Sequence, residues 1–207
     1  MDKEYTSDNI QTLSTGDAIR MRPHLYFDKC FREKTLDSLP FEVLCHAFDE
    51  YFDGACKAIE ISIANDNFTV SYDAGISLEN KHDDLSKAEL IMTSIFACRN
   101  EKKHLAVGEE FCSLGMATIN FAAERCELTT VCKGKRGFYI FENGITVSRV
   151  IDIVETQSEF TKIFIKPNKS LFENLTFTFD GINKKAMQIN SRLADLDIII
   201  HNNIRVD

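Results

Sequence analysis

Two short segments of the chain carry side chains that could do chemistry. Residues 41–50 have helical spacing and include Glu42, and residues 68–75 have the pattern of a strand that ends at Asp73 and Gly75. A carboxylate on a helix can accept a proton through a short, oriented hydrogen bond, as a general base does. A glutamate in the first turn of a helix also complements the positive end of the helix dipole. Taken alone, the residues leave both interpretations of Glu42 open.

The helix that carries Glu42 has clear start and stop signals. Ser38 can cap it, Pro40 fits its first turn, and Gly54 ends it. Apolar residues recur at helical spacing and predict its buried stripe: Phe41, Leu44, Phe48 and Phe52. The sequence therefore predicts one helix that would hold the Glu42 carboxylate beside the strand end.

The remaining elements alternate in a simple order. Residues 58–64 and 68–72 are predicted to form a hairpin, and two helices follow at 86–97, capped by Ser86, and at 111–123, with a polar loop between them. The later elements are strands at 126–132, 138–142, 146–155, 161–166 and 197–201 and a helix at 182–193. Helices in the first half and a strand meander in the second predict an α+β fold, a two-layer sandwich of helices on a mixed, mainly antiparallel sheet.

Composition sets outer limits on the function. The chain has 207 residues, 44% of them apolar and 27% charged, and a net charge of −8. An acidic chain lacks the clustered cations that release counterions from DNA, so we expect no direct DNA binding. The basic run at residues 133–136 lies between strand-like segments and is predicted to be a hairpin turn. Seven cysteines without a Cys-x-x-Cys pair predict reduced, buried thiols.

Location and domain organisation follow from the same features. No apolar run is long enough for a transmembrane helix and the start of the chain does not resemble a secretory signal, so we expect a cytoplasmic protein without membrane contact. Residues 1–207 are predicted to form a single domain, and residues 1–35 an N-terminal arm with a short helix at 16–21.

Several stretches of the chain resemble one family of ATPases. Residues 5–10 (Tyr-Thr-Ser-Asp-Asn-Ile) and 17–26, which include Ala-Ile-Arg-Met-Arg-Pro, are similar to the N-terminal arm of that family, and residues 88–93 (Ala-Glu-Leu-Ile-Met-Thr) to its A-E-V-I-M-T motif. With the helix of Glu42 and the Asp-x-Gly strand end, these stretches resemble the GHKL ATPase domain, or Bergerat fold, found in the B subunits of DNA gyrase and topoisomerase IV. The resemblance covers nearly the whole chain.

The resemblance implies a role for each candidate site residue. Glu42 corresponds to the general base that polarises the attacking water. Asp73 corresponds to the carboxylate that accepts a hydrogen bond from the adenine amino group of ATP or ADP, Gly75 to the glycine beside the base, and Thr161 to the threonine that supports this contact through water. Val43, Met92 and Ile163 would form apolar walls around the base.

The phosphate half of the implied site departs from the family pattern. His46 replaces the asparagine that binds Mg²⁺, and imidazole is a poor ligand for this hard cation, so the resemblance implies no intact metal site. Residues 109–115 replace a glycine-rich lid, and only Gly115 remains of its glycines. Glycine is needed there because it adopts backbone angles closed to other residues. Cys98 and Arg99 replace a further glycine pair.

Three functions remain open from the sequence. The first is a stand-alone, degenerate ATP-binding domain with weak or no hydrolysis that acts through protein contacts, either as a homodimer or with a gyrase-type subunit, using Tyr5 of the arm. The second is an active ATPase with Glu42 as base. The third is a scaffold or decoy that binds no nucleotide. The resemblance also implies that the transducer and TOPRIM domains of the family are missing, so this polypeptide alone could not perform a topoisomerase reaction.

Overall fold

The computed structural model describes residues 13–82, 84–95, 97, 103–156 and 158–205. Its main feature is a seven-stranded sheet in the order β7-β6-β5-β8-β2-β1-β9. The strands are β1 Ala58–Ile63, β2 Phe68–Tyr72, β5 Ala123–Cys132, β6 Lys135–Glu142, β7 Ile145–Ile153, β8 Phe160–Pro167 and β9 Asp197–Asn202; β3 Asn80–His82 and β4 Leu85–Ser86 form a small separate ribbon.

The helices form the second layer of the fold. They are α1 Thr15–Met21, α2 Pro23–Tyr26, α3 Asp28–Glu33, α4 Leu39–Glu42, α5 Cys45–Phe52, α6 Lys87–Thr93, α7 Glu109–Cys112, α8 Gly115–Phe121 and α9 Phe179–Asn190, with a 3₁₀ helix at Lys103–Val107. Side chains alternate along β1: Ile59, Ile61 and Ile63 are buried, and Ala58 and Glu60 are exposed. This alternation is typical of a sheet with one face on the core.

The predicted fold class is confirmed. β1 and β9 pair in parallel, and the other neighbouring strands of the large sheet pair antiparallel, so the sheet is mixed and mainly antiparallel. The hairpin of β1 and β2 is present, and residues 133–136 form the turn between β5 and β6 and the start of β6. In the described part of the chain, no helix has the length and apolar character needed to cross a membrane.

The prediction of a single helix around Glu42 is wrong. The structure has two helices, α4 and α5, separated at Val43 and Leu44, where i to i+3 hydrogen bonds tighten the backbone. Ser38 makes no side-chain cap, and its hydroxyl lies 3.2 Å from the Cys30 sulfur instead. Phe52, predicted to be buried, is 39% exposed. Glu42 therefore lies at the end of a short helix and does not complement the start of a long one.

The next two predicted helices are also shorter than expected. Ser86 caps α6 by accepting a hydrogen bond from the Glu89 amide, as predicted, but α6 ends at Thr93. The predicted helix at 111–123 is divided into α7 and α8, and Gly115 lies at the junction with a φ of 76°. This left-handed angle favours glycine, so the break between α7 and α8 has a local cause.

The segment predicted as an N-terminal arm is partly packed into the core. Its described residues form α1, α2 and α3, and Ile19, Phe27 and Cys30 are fully or almost fully buried. Tyr5 and the rest of residues 1–12 lie outside the described residues. The described cysteines are buried free thiols, as predicted, and Cys98 is not among them.

Candidate functional site

Glu42 is buried at the start of α8. Its side chain is 3% exposed, and Oε2 accepts a hydrogen bond of 2.8 Å from the Leu114 amide. Ser113, the preceding residue, also favours the ionised form of this carboxylate. Burial raises the pKa of Glu42 to about 7, although the hydrogen bonds and the Lys29 charge oppose this shift. The candidate general base therefore binds a backbone amide of the segment aligned with the family's lid.

The positive charge of Lys29, in α3, favours the ionised form of Glu42. Its ammonium donates to the Glu110 carbonyl oxygen and lies 5.6 Å from the centre of the Phe111 ring. Desolvation, followed by the nearby Lys185 charge, lowers the pKa of Lys29. Glu110, in the segment that replaces the glycine-rich lid, forms a 2.6 Å ion pair with Arg192, which follows the end of α9. A positive charge therefore approaches Glu42 from a helix that the sequence did not assign to the site.

His46 is held by its protein neighbours. It is 7% exposed, its Nδ1 lies 3.2 Å from the Tyr72 hydroxyl, and its Nε2 lies 3.4 Å from Glu50 Oε1. The residue at the family's Mg²⁺ position therefore bridges α5 and β2. Within the described ranges, no group of three His, Cys, Asp or Glu side chains is arranged to hold a metal ion.

Asp73 and Thr161 bind different backbone groups in the structure. Thr161 of β8 pairs with Tyr72 of β2, and both residues are buried. Asp73, the first residue after β2, is exposed. The exposed carboxylate accepts hydrogen bonds from the Lys57 and Ala58 amides, at 2.9 and 3.0 Å.

The charge state of Asp73 fits this outward role. Desolvation opposes ionisation, but the hydrogen bonds from the Ala58 and Lys57 amides prevail and hold the pKa of Asp73 below its usual value. Tyr72, which takes the inward position, has a pKa raised well above the ordinary tyrosine value because it is buried. The buried Tyr72 side chain beside His46 is therefore a neutral phenol.

Thr161 and Gly75 have structural partners within the chain. The Thr161 hydroxyl donates to the Ala74 carbonyl at 2.7 Å and lies 3.0 Å from the Thr130 hydroxyl, which accepts from the Ile76 amide at 2.8 Å. A Cβ on Gly75 would lie 2.2 Å from the Val131 carbonyl oxygen. The glycine therefore permits close approach to β5, and the two threonines hold the backbone after β2.

The residues predicted to form apolar walls around the adenine are covered by other parts of the protein. Val43, Met92 and Ile163 are each fully buried in the core. A cleft of about 70 Å³ lies beside α8, lined by Ile91, Ser94, Ile95, residues 104–105 and residues 112–117, which include Gly115. Ligand pockets usually measure roughly 300–1,000 Å³, so this cleft would have to widen to admit a nucleotide.

The segment before α7 is fixed to α5 by polar contacts. Asp49 accepts a hydrogen bond from the His104 amide at 2.7 Å, with the His104 ring nitrogen at 3.1 Å, and Lys103 pairs with Asp53 at 2.6 Å. The Lys103 ammonium is therefore engaged by the Asp53 carboxylate. Cys98, Arg99 and Lys102 lie outside the described residues.

Sequence reasoning missed Tyr72, Thr130 and Lys29. The alternation in β2 could have revealed Tyr72, because Phe68 and Val70 share its inward face. No local pattern marked Thr130 or Lys29, since both reach the site from elements distant in the sequence.

In sequence, the chain is gyrase-B-like over nearly its whole length, although no protein-family model matches it. It is 26% identical to the B subunit of DNA gyrase from Rickettsia typhi over 98% of the chain and 26% of that protein. It is 27% identical to the B subunit of the type 2 topoisomerase from Aquifex aeolicus over 90% of the chain and 24% of that protein. It is 26% identical to the B subunit of DNA gyrase from Archaeoglobus fulgidus over 95% of the chain and 32% of that protein. The chain thus spans about a quarter to a third of these relatives.

Proposed function

We propose that this chain is a degenerate gyrase-B-like ATP-binding domain that binds nucleotide weakly, hydrolyses little or no ATP and acts through contacts with other proteins. The similarity to gyrase B supports the type of domain. The observation that carries the loss of activity is the hydrogen bond from the Leu114 amide to Glu42 Oε2.

That hydrogen bond places a carboxylate where phosphate oxygens are expected. In the ATPase family that the chain resembles, backbone amides of the lid bind the phosphates of ATP. Here Glu42 occupies the Leu114 amide. When ionised, it would repel an incoming polyanion, and at short range inside a protein this repulsion is strong. A carboxylate held in this way is also not available to orient a water molecule.

The adenine half supports the same proposal. The residues present do not fit the predicted contact, because the Asp73 carboxylate is bound to backbone amides on the exposed side and Tyr72 takes the inward position. Nucleotide binding would therefore depend on apolar contacts with Val43, Met92 and Ile163, which the protein would first have to expose. We infer weak binding for that reason.

One observation favours an active ATPase as the second candidate. The pKa of Glu42 is about 7, and a general base is most effective when its pKa lies near the working pH. In this alternative, the Glu42 carboxylate would leave the Leu114 amide and accept the proton of the attacking water. Widening of the cleft beside α8 would have to accompany this change.

Turnover measurements separate the two candidates. Phosphate release should be compared for the wild-type chain and Glu42→Ala, each with and without Mg²⁺. The proposal predicts that wild-type release does not exceed the Glu42→Ala background under either condition. Mg²⁺-dependent release that disappears in Glu42→Ala would establish the active ATPase instead.

The protein contact has two candidate partners under this proposal. One is a second copy of the chain, and the other is a gyrase-type subunit, as the names of the relatives suggest. The acidic net charge of −8 disfavours direct DNA binding. Cytoplasmic location and a role for Tyr5 stay predictions from the sequence.

A further inference from the structure

The edge strand β7 exposes an unusual number of apolar side chains. In order of increasing exposure they are Ile151 at 43%, Val150 at 46%, Val147 at 52%, Ile145 at 66% and Ile153 at 89%. β7 ends the seven-stranded sheet and contains neither lysine nor proline. Proteins usually protect such edges with those residues, because a long apolar edge strand recruits another strand.

The backbone of β7 is placed to accept a further strand. Val154, just after β7, donates to the Gly134 carbonyl at 2.9 Å, on the β6 side. Hydrogen-bonding direction alternates along an antiparallel strand. Asp152 and Val150 therefore also point their backbone groups at β6, and Arg149 and Ile151 point theirs away from the sheet.

Each charged side chain of β7 has a partner of opposite charge within the chain. Arg149 forms a 3.0 Å ion pair with Glu89, which is buried, and Asp152 forms a 2.9 Å pair with Arg136 of β6. The edge as a whole thus carries little net charge, although the chain carries −8. A second copy can approach this strand without the repulsion that its other surfaces would meet.

We propose that β7 pairs antiparallel with β7 of a second copy of this chain around a two-fold axis at Val150, which joins two seven-stranded sheets edge to edge. This interface rests on the proposed function, because it names the surface and the partner of the protein contact. An antiparallel strand pair suits two identical chains, since the same strand supplies both sides of the interface.

The side chains select the position of the axis. An axis at Arg149 or at Asp152 would place that charge directly opposite its own copy, which is unfavourable. An axis at Val150 instead places Val150 opposite Val150 and Ser148 opposite Asp152. An axis at Ile151 would place Asp152 opposite Val150 and pair a charge with an apolar side chain.

The same axis gives matching contacts for the outward-pointing backbone groups. Arg149 lies opposite Ile151 of the second copy, and the two residues can exchange both backbone hydrogen bonds, twice by symmetry. β7 has an extra residue at Val147, where its pairing with β6 shifts register. The matched contacts around the axis are therefore those of residues 148–152.

A lysine at Ile151 tests the interface. Ile151→Lys would place a lysine opposite Arg149 on both sides of the axis, so it should weaken the dimer at least about ten-fold. Ile199→Lys is a matched control, because Ile199 lies on the other edge strand, β9, and is also 43% exposed. Sedimentation equilibrium over a concentration series should show dimers for wild type and Ile199→Lys only. A monomeric wild type, or a dimer that Ile151→Lys leaves intact, would overturn the proposal.

A single cysteine tests the position of the axis. Val150→Cys places two thiols opposite each other at a non-hydrogen-bonded pair, within disulfide distance, and should give a cross-linked dimer on mild oxidation. Ile145→Cys, which is more exposed but has no copy of itself opposite, should not. Cross-linking of Ile145→Cys but not Val150→Cys would reject the axis.

Nucleotide titration of Ile151→Lys separates the two proposals. Tight, Mg²⁺-dependent binding would contradict the proposed function and leave the interface test unaffected.

Discussion

At the scale of single residues, the state of Glu42 is the central feature. The side chain is almost completely buried, yet it accepts a hydrogen bond from the Leu114 amide. Burial dominates and raises its pKa to about 7. Near neutral pH the group therefore exists both as an acid and as a carboxylate, and the balance affects the stability of the chain.

We expect Glu42→Gln to change how stability depends on pH. The pKa of Glu42 is about 7 in the folded chain and 4.5 for an unperturbed glutamate. Between these values the folded state holds a proton that the unfolded state has released. Stability is therefore greatest below pH 4.5 and falls as the pH rises to about 7. Glutamine cannot ionise, so the free energy of unfolding of Glu42→Gln relative to wild type should rise over this range by up to about 3 kcal/mol.

Urea unfolding at several pH values measures this difference. Glu155→Gln, at an exposed position, is the control and should follow the wild-type curve. Curves for wild type and Glu42→Gln that stay parallel from acid to neutral pH would show that Glu42 is not held in a raised-pKa state.

Restoring the family's asparagine at position 46 should not restore hydrolysis. His46→Asn supplies an oxygen ligand that suits Mg²⁺, but Glu42 remains bound to the Leu114 amide. We expect phosphate release by His46→Asn to equal that of wild type and of Glu42→Ala. Mg²⁺-dependent release above that background in this single variant would show that the metal ligand was the main defect.

At the scale of elements, sequence patterns predicted the order of strands and helices better than their limits. The β1–β2 hairpin and the Ser86 cap follow from local turn and cap chemistry. The break between α4 and α5 has no glycine or proline to mark it. It lies at Val43 and Leu44, which are both fully buried, and no local pattern predicts it.

For the site residues too, the sequence predicted positions along the chain better than their geometry. Matching Asp73 to a family motif fixed its position in the sequence but not the face of the strand on which it lies. That face depends on the register of β2 against β8, where Tyr72 pairs with Thr161. A shift of one residue turns every side chain to the other face. The motif was therefore recognisable, and its geometry was not.

Gly75→Ala should destabilise the junction after β2. An added Cβ would lie 2.2 Å from the Val131 carbonyl oxygen, and this backbone belongs to the interior strand β5. We expect a loss of about 2 kcal/mol or more in the free energy of unfolding, measured in urea. Gly16→Ala is the control, because its Cβ would meet side-chain atoms of Phe121 and Arg20, which can move. Equal stability of Gly75→Ala and wild type would disprove the close approach to β5.

At the scale of the whole molecule, the fold does not require a working nucleotide site. One continuous core joins the helices to the sheet and includes the walls predicted for adenine, Val43, Met92 and Ile163. Filling that space with protein adds buried apolar contacts, which favour folding. A chain released from nucleotide binding can thus keep its architecture and use an exposed edge such as β7 for contacts.

Calorimetric titration with ADP and with a non-hydrolysable ATP analogue, each with and without Mg²⁺, measures how much nucleotide binding the chain retains. We expect weak binding that Mg²⁺ does not strengthen. We expect the same binding in Asp73→Asn, because that carboxylate binds the Lys57 and Ala58 amides. Complete absence of binding at millimolar ligand would favour the nucleotide-free scaffold. Tight, Mg²⁺-strengthened binding of the triphosphate analogue that Asp73→Asn abolishes would show that the chain keeps a working nucleotide site.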